Sequence, residues 1–118
     1  MSTAAEGCVF CRIVAGEMSS RPAYSGPLVY GFHDLQPVAP LHVLIVPREH
    51  IPDATEVTAE NGEVLAEMLT AARSVAEQEG VAKTGYRLVF NVGRDAGAQV
   101  PHLHLHLLAG RKLGWPPG

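Results

Sequence analysis

The order of segments predicts an α+β domain, an antiparallel sheet covered on one face by a single long helix. Three observations carry that expectation. Two apolar runs in the first half, 27–34 (PLVYGFHD) and 41–49 (LHVLIVPRE), are joined by the turn LQPVAP. A stretch of helical period then occupies 58–79. Strand character returns at 86–92 (YRLVFNV) and again within 101–111 (PHLHLHLLAGR).

Taken in order, the first two runs read as neighbouring strands because β-branched and aromatic residues fill them and a Pro-containing turn separates them. Residues 43–46 are apolar without alternation, which predicts a strand covered on both faces. In the helical stretch Val64, Leu65, Met68, Leu69, Ala72, Val75 and Ala76 repeat at three and four residues, against Glu63, Glu67, Arg73 and Glu77. Thr58 is the expected N-cap and Gly80 the expected stop. The Gly-containing loop GRDAGAQVP leads from the third strand into the last. A chain of 118 residues, 47% hydrophobic and 18% charged, has the composition and size of one globular domain spanning 1–118.

Charge narrows the function. A formal net charge of −3 argues against a sequence-independent grip on nucleic acid, which needs a basic face, but leaves room for a small anionic ligand. The apolar run 43–46 is far too short to span a bilayer, so no membrane association is expected. The start, MSTAAEG, has neither a basic region nor an apolar stretch, and no secretory leader is read there. A cytoplasmic location follows as the default. Cys8 and Cys11, at C-x-x-C spacing, then read as a metal or redox pair rather than a secretory disulfide.

Half of the six histidines stand at 102, 104 and 106, alternating with Leu103, Leu105 and Leu107. On a strand this places the imidazoles on one face and the leucines on the other. Neighbouring histidines would lie about 7 Å apart and the outer two about 13 Å, at a rise of ~3.3 Å per residue. A tetrahedral ion with bonds of roughly 2 Å could take two of them but not all three from a straight strand. Burying three imidazoles also costs hydrogen-bond partners that leucine would not need, which argues against packing alone. Imidazole chemistry offers a use. A neutral ring is a nucleophile near pH 7 while its other nitrogen donates to a carbonyl, and a neighbouring ring can donate to phosphoryl oxygens as charge builds. Backbone N–H groups of the loop just upstream can serve the same oxygens.

With those residues in view, the sequence resembles the histidine-triad family, whose hallmark is His-x-His-x-His followed by apolar residues. CVFCRIVAGEM resembles that family's N-terminal signature, and YGFHDLQPVAPLHVLIVPREHI its two central strands. NVGRDAGAQVPHLHLHLLAGR resembles its active-site loop and strand, and the ending LGWPPG resembles the Hint branch, a set of homodimeric purine nucleoside phosphoramidases. The resemblance implies the HIT-like fold, a two-fold dimer with a continuous sheet, and hydrolysis of AMP–amine conjugates through a nucleotidyl-histidine. It makes His104 the nucleophile, with His106 and Asn91 on the phosphate and His42 as a partner beside the triad. Asp34 would accept bonds from the ribose hydroxyls, and Val9, Phe10, Ile13, Phe32, His33 and Leu35 would wall the base, although Val9, Ile13 and Leu35 are equally readable as core and Asp34 as a turn residue. Gly97, Gln99 and Val100 would flank the phosphate. The branch commonly carries Ser or Thr where this chain has Gln99, and an amide can donate a hydrogen bond but cannot relay a proton.

The resemblance also proposes a ligand set for structural zinc: Cys8 and Cys11 with His50 and His102. The alternative is two reduced cysteines packed as small apolar residues; a thioredoxin-like redox pair fits poorly because no strand–helix alternation follows CVFC. Trp115, the only tryptophan, is expected to dock rather than hang in solvent, and the resemblance places it beside the partner subunit's active site. Two rivals remain: a dinucleoside polyphosphate hydrolase or nucleotidyl transferase, and a nucleotide-binding interaction module with incidental turnover.

Overall fold

The apolar run at 41–47 becomes the middle of the sheet. In the computed structural model, which describes residues 7–118, five strands form one sheet: β1 (Pro22–Ser25), β2 (Val29–His33), β3 (Leu41–Pro47), β4 (Tyr86–Val89) and β5 (Leu105–Ala109). Their order is β1-β2-β3-β5-β4, and every neighbouring pair is antiparallel. All seven residues of β3 are buried, as a run without alternation requires of a strand covered on both faces. The last strand in sequence therefore inserts between β3 and β4 and carries His106 beside the central strand.

One long helix, α2 (Gly62–Gln78), covers one face. Met68, Ala71, Ala72 and Val75 pack with Leu41, Val43, Ile45, Leu103, Leu105 and Leu107 in a single buried cluster. Each of these leucines contributes roughly 2–3 kcal/mol of apolar burial, and together they hold the triad segment in register from behind. Thr58 caps not α2 but the 3-10 turn before it, Ala59–Asn61, in which Asn61 bonds back to the Thr58 N–H at 2.8 Å; the N-cap of α2 itself is Asn61. Gly80 ends the helix at φ +76°, a left-handed conformation that favours glycine.

Several expectations need correction. Leu69 lies at the margin of the apolar stripe and is 52% exposed, while Ala71 takes a buried place. Two elements were not anticipated: the short edge strand β1, and a helix of six residues, α1 (Val9–Val14), too brief to show a period. The strands expected at 27–34, 41–49 and 86–92 are shorter than their apolar runs, and Asn91 falls beyond the end of β4. The triad does not lie within one regular strand. Only His106 belongs to β5; His102 and His104 precede it, because the ladder partners of β5 run out at Ile45 and Val89. The alternation itself survives, with the leucines on the α2 side and His102 and His104 against α1. The C-terminal tail is held by an Arg87 Nη2–H bond to the Gly114 carbonyl at 2.8 Å, yet Trp115 is 83% exposed, so its indole does not dock on its own chain. No helix among the described residues is long and apolar enough to cross a membrane. The absence of a leader was read largely from 1–6, which lie outside the described residues.

Candidate active site and metal-ligand cluster

On the face away from α2, the sheet presents His42 from β3 and His106 from β5, with His104 just before that strand. Phe10 of α1 meets Phe32 of β2 and the rings of His102 and His104 edge-on, with centroids 5.5, 5.9 and 5.1 Å away. The rings of His104 and His106 approach to 4.9 Å between centroids, nearer than an extended strand alone would place them.

Hydrogen bonds assign the protons on these rings. Val38 N–H donates to His42 Nδ1 at 3.1 Å, so neutral His42 carries its proton on Nε2. That Nε2–H faces His106 Nδ1 at 2.9 Å, with the Asp34 carboxylate 3.4 Å away. His106 Nδ1 is thereby an acceptor and its proton sits on Nε2, a buried atom with no hydrogen-bond partner among the described residues. Such a donor is costly to leave unpaired and suits an anionic oxygen brought by a ligand. His104 is set the opposite way. Its Nδ1–H donates to the His102 carbonyl at 2.7 Å, which leaves the Nε2 lone pair as the reactive one. One ring thus offers a free lone pair and the next an unpartnered N–H, on the same face.

Asp34, His42 and His106 also bring ligand atoms within 4.8 Å of one another, a spacing that could suit a metal. The protons argue otherwise. A metal on His42 Nε2 would drive the proton to Nδ1, against the Val38 N–H. This group is a hydrogen-bond relay. Asp34 also accepts from Gln36 N–H at 2.8 Å, so the turn role and a place beside the triad coexist in one residue.

The other cluster differs in kind. Cys8 Sγ and Cys11 Sγ lie 3.2 and 3.4 Å from His102 Nδ1, Cys11 Sγ lies 3.3 Å from His50 Nδ1, and the two Nδ1 atoms are 3.2 Å apart. A zinc tetrahedron with bonds of ~2.0 Å to nitrogen and ~2.3 Å to sulfur has edges of ~3.3 Å (N–N) and ~3.5 Å (N–S). His102 donates from Nε2 to the Pro47 carbonyl at 2.9 Å, so its Nδ1 offers a lone pair to the cluster. The donor set and its proton arrangement fit the ion. Cys8 also serves as N-cap of α1, its sulfur accepting from Cys11 N–H at 3.3 Å.

A cavity of about 570 Å³ opens beside His104, lined in part by Asn91, Gly97, Gln99 and Val100. The residues expected around the base lie elsewhere: Phe10 and Phe32 are buried, Val9, Ile13 and His33 half-buried, and Leu35 is 92% exposed, which removes its core alternative. Pro52, Asp53, Gly93 and Arg94 line the cavity without having been anticipated. The backbone contributors, the Val38 amide and the His102 and Pro47 carbonyls, carry no residue-type signal at all.

Burial, followed by the neighbouring His104 and His42, pushes His106 down to about 4, with Asp34 pulling weakly back. Burial also lowers His42 and His102. Between pH 6.5 and 4 the unfolded chain therefore binds protons that the folded His106 refuses. Stability should be full above that window and fall as pH drops through it, by on the order of 2–3 kcal/mol for His106 alone. Urea titrations at stepped pH check this, and His106→Gln should flatten the dependence.

Comparisons with known proteins agree with this geometry. The HIT domain family matches residues 15–113. Over 110 residues the chain is 46% identical to a purine nucleoside phosphoramidase of Escherichia coli strain K12, covering 93% of this chain and 92% of that protein. A HIT family hydrolase from Legionella pneumophila Philadelphia 1 superposes with a TM-score of 0.92 at 43% identity, covering 95% of this chain and 100% of that one. For a HIT family hydrolase from Clostridium thermocellum the TM-score is 0.91 at 44% identity, covering 94% and 96%.

Proposed function

This chain belongs to the HIT domain family, and from that premise we propose that it hydrolyses purine nucleoside 5′-phosphoramidates, AMP joined to an amine, through a covalent nucleotidyl-histidine. The observation that carries the mechanism is the 2.7 Å bond from His104 Nδ1–H to the His102 carbonyl, which presents an unprotonated Nε2. In the first step Nε2 bonds to phosphorus as the phosphorus–nitrogen bond to the amine breaks, and the amine departs with a proton taken from solvent water. In the second, water attacks phosphorus and the bond to His104 breaks, releasing the nucleoside monophosphate, the proton of the water to solvent, and the ring in its starting state. His106 Nε2–H donates to a phosphoryl oxygen in both steps, which satisfies its unpartnered hydrogen.

Asn91, Gly97, Gln99 and Val100 border the phosphoryl group along the cavity they share with His104. Gln99 can donate a hydrogen bond there but cannot relay a proton, so solvent water protonates the leaving amine. Asp34 keeps lone pairs for the ribose hydroxyls, and Val9, Phe10, Ile13, Phe32, His33 and Leu35 surround the base. Cys8, Cys11, His50 and His102 would hold zinc, which when bound braces the segment carrying α1. A homodimer with a continuous sheet belongs to the same proposal; the exposed Leu69 and Trp115 supply apolar surface for a second copy, with Trp115 reaching the partner's site. So does a cytoplasmic location, with reduced cysteines and no nucleic acid or membrane partner.

Trapping tests the reading. With a slow adenosine phosphoramidate, mass spectrometry of the intact chain should show one added adenylyl group, mapped to His104; a label on another residue would sink the assignment. His106→Ala should lower kcat by about 10²–10³-fold, as expected when one donor to a developing oxyanion is removed. Steady-state kinetics with the same substrate check it.

A further inference from the structure

The nucleophile lies outside the sheet's ladder. Regular pairing of β5 begins at Leu105, so no strand hydrogen bond fixes His104. What precedes β5 is tied down differently. Leu103 N–H bonds the Ile51 carbonyl at 2.6 Å, just after His50. The His102 ring is gripped on one side by the Pro47 carbonyl and on the other by Cys8, Cys11 and His50. The backbone carbonyl of that same residue receives the His104 Nδ1–H. Phe10, between the two cysteines in α1, lies edge-on to both His102 and His104. The cluster therefore holds the nucleophile's orienting acceptor from below and its ring neighbour from the side.

We propose that Cys8, Cys11 and His50 are positioning residues for the nucleophile: by fixing the His102 ring around a zinc ion, they aim the carbonyl that sets the tautomer and direction of His104. The cluster then tunes turnover as well as bracing α1, and the cysteines couple metal occupancy to chemistry. The inference rests on the proposed phosphoramidase mechanism and zinc site for its kinetic readout only; the state of the His104 ring can be observed without substrate.

The test uses the full chain, zinc-loaded, then stripped with a chelator and reloaded. Ring ¹⁵N shifts of His104 should report a fixed Nδ1–H tautomer in the loaded protein and an averaged one after stripping, with recovery on adding zinc. For an adenosine phosphoramidate, kcat should fall about 10- to 100-fold on stripping, the scale expected for a misplaced reacting group, while AMP affinity changes little. A stripped, folded protein that keeps both the fixed tautomer and full kcat overturns the proposal, as does a chain that takes up no zinc. Should stripping unfold the chain, exchange of zinc for the larger cadmium ion is the second arm. It should shift the His104 resonances and lower kcat with the fold retained, and unchanged values overturn the proposal. A loaded wild-type chain that turns over no phosphoramidate would count against the proposed function instead, and the ring spectrum would still decide the positioning role.

Discussion

Replacing His104 with alanine should reduce phosphoramidate turnover by on the order of 10⁴-fold or more, because it removes the proposed nucleophile and not merely a supporting contact. AMP binding should largely survive. The proposed donor to the phosphoryl oxygen is His106 Nε2–H, whose tautomer is set by His42 and the Val38 amide without help from His104. The comparison to make is kcat/KM for an adenosine phosphoramidate against the dissociation constant for AMP measured by calorimetry. A variant hydrolysing the substrate at the wild-type rate would remove His104 from the mechanism. Loss of AMP affinity in proportion to turnover would instead point to a binding role for the ring.

The second large effect concerns stability. Purified chain should contain one zinc per protomer, and chelation should lower the melting temperature by more than about 10 °C, from several kcal/mol of metal-linked stability at roughly 2–8 °C per kcal/mol for domains of this order of size. The reason is local. The set of Cys8, Cys11, His50 and His102 joins α1, the segment after β3 and the segment before β5. Without the ion, the two sulfurs and two ring nitrogens, 3.2–3.4 Å apart, are left with thiol–imidazole hydrogen bonds in place of metal bonds. Cys11→Ser should reproduce most of the loss. Metal analysis showing no zinc, together with an unchanged melting curve after chelation, would return the cysteines to plain packing.

How far the sequence could be read differs between fold and site. The helix was legible because its apolar positions recur over many turns, and the buried β3 because its apolar run has no alternation. Helix α1 was not legible, since six residues give no period and its cap is a cysteine rather than a usual capping residue. The end of β5 short of His104 was equally hidden, because where a ladder stops depends on where its partner strands stop. At the site, the histidine alternation pointed to chemistry, and the resemblance named the candidate residues. Asn91 and Gln99 do come together with His104 along one cavity. Leu35 and Trp115, exposed on the single chain, gain a role only with a ligand or a second copy.

By itself the sequence determined the fold class, the family and the cast of imidazoles, thiols and carboxylates, since periodicity and residue type are properties of the chain read along its length. What only the tertiary structure decided is which nitrogen of each ring carries the proton, and so which proposed role each ring is equipped for. A histidine's role depends on which nitrogen holds the proton, and that is set by the partner its other nitrogen meets. Those partners are the His102 and Pro47 carbonyls and the Val38 amide, backbone groups that every residue possesses and that folding alone brings within reach.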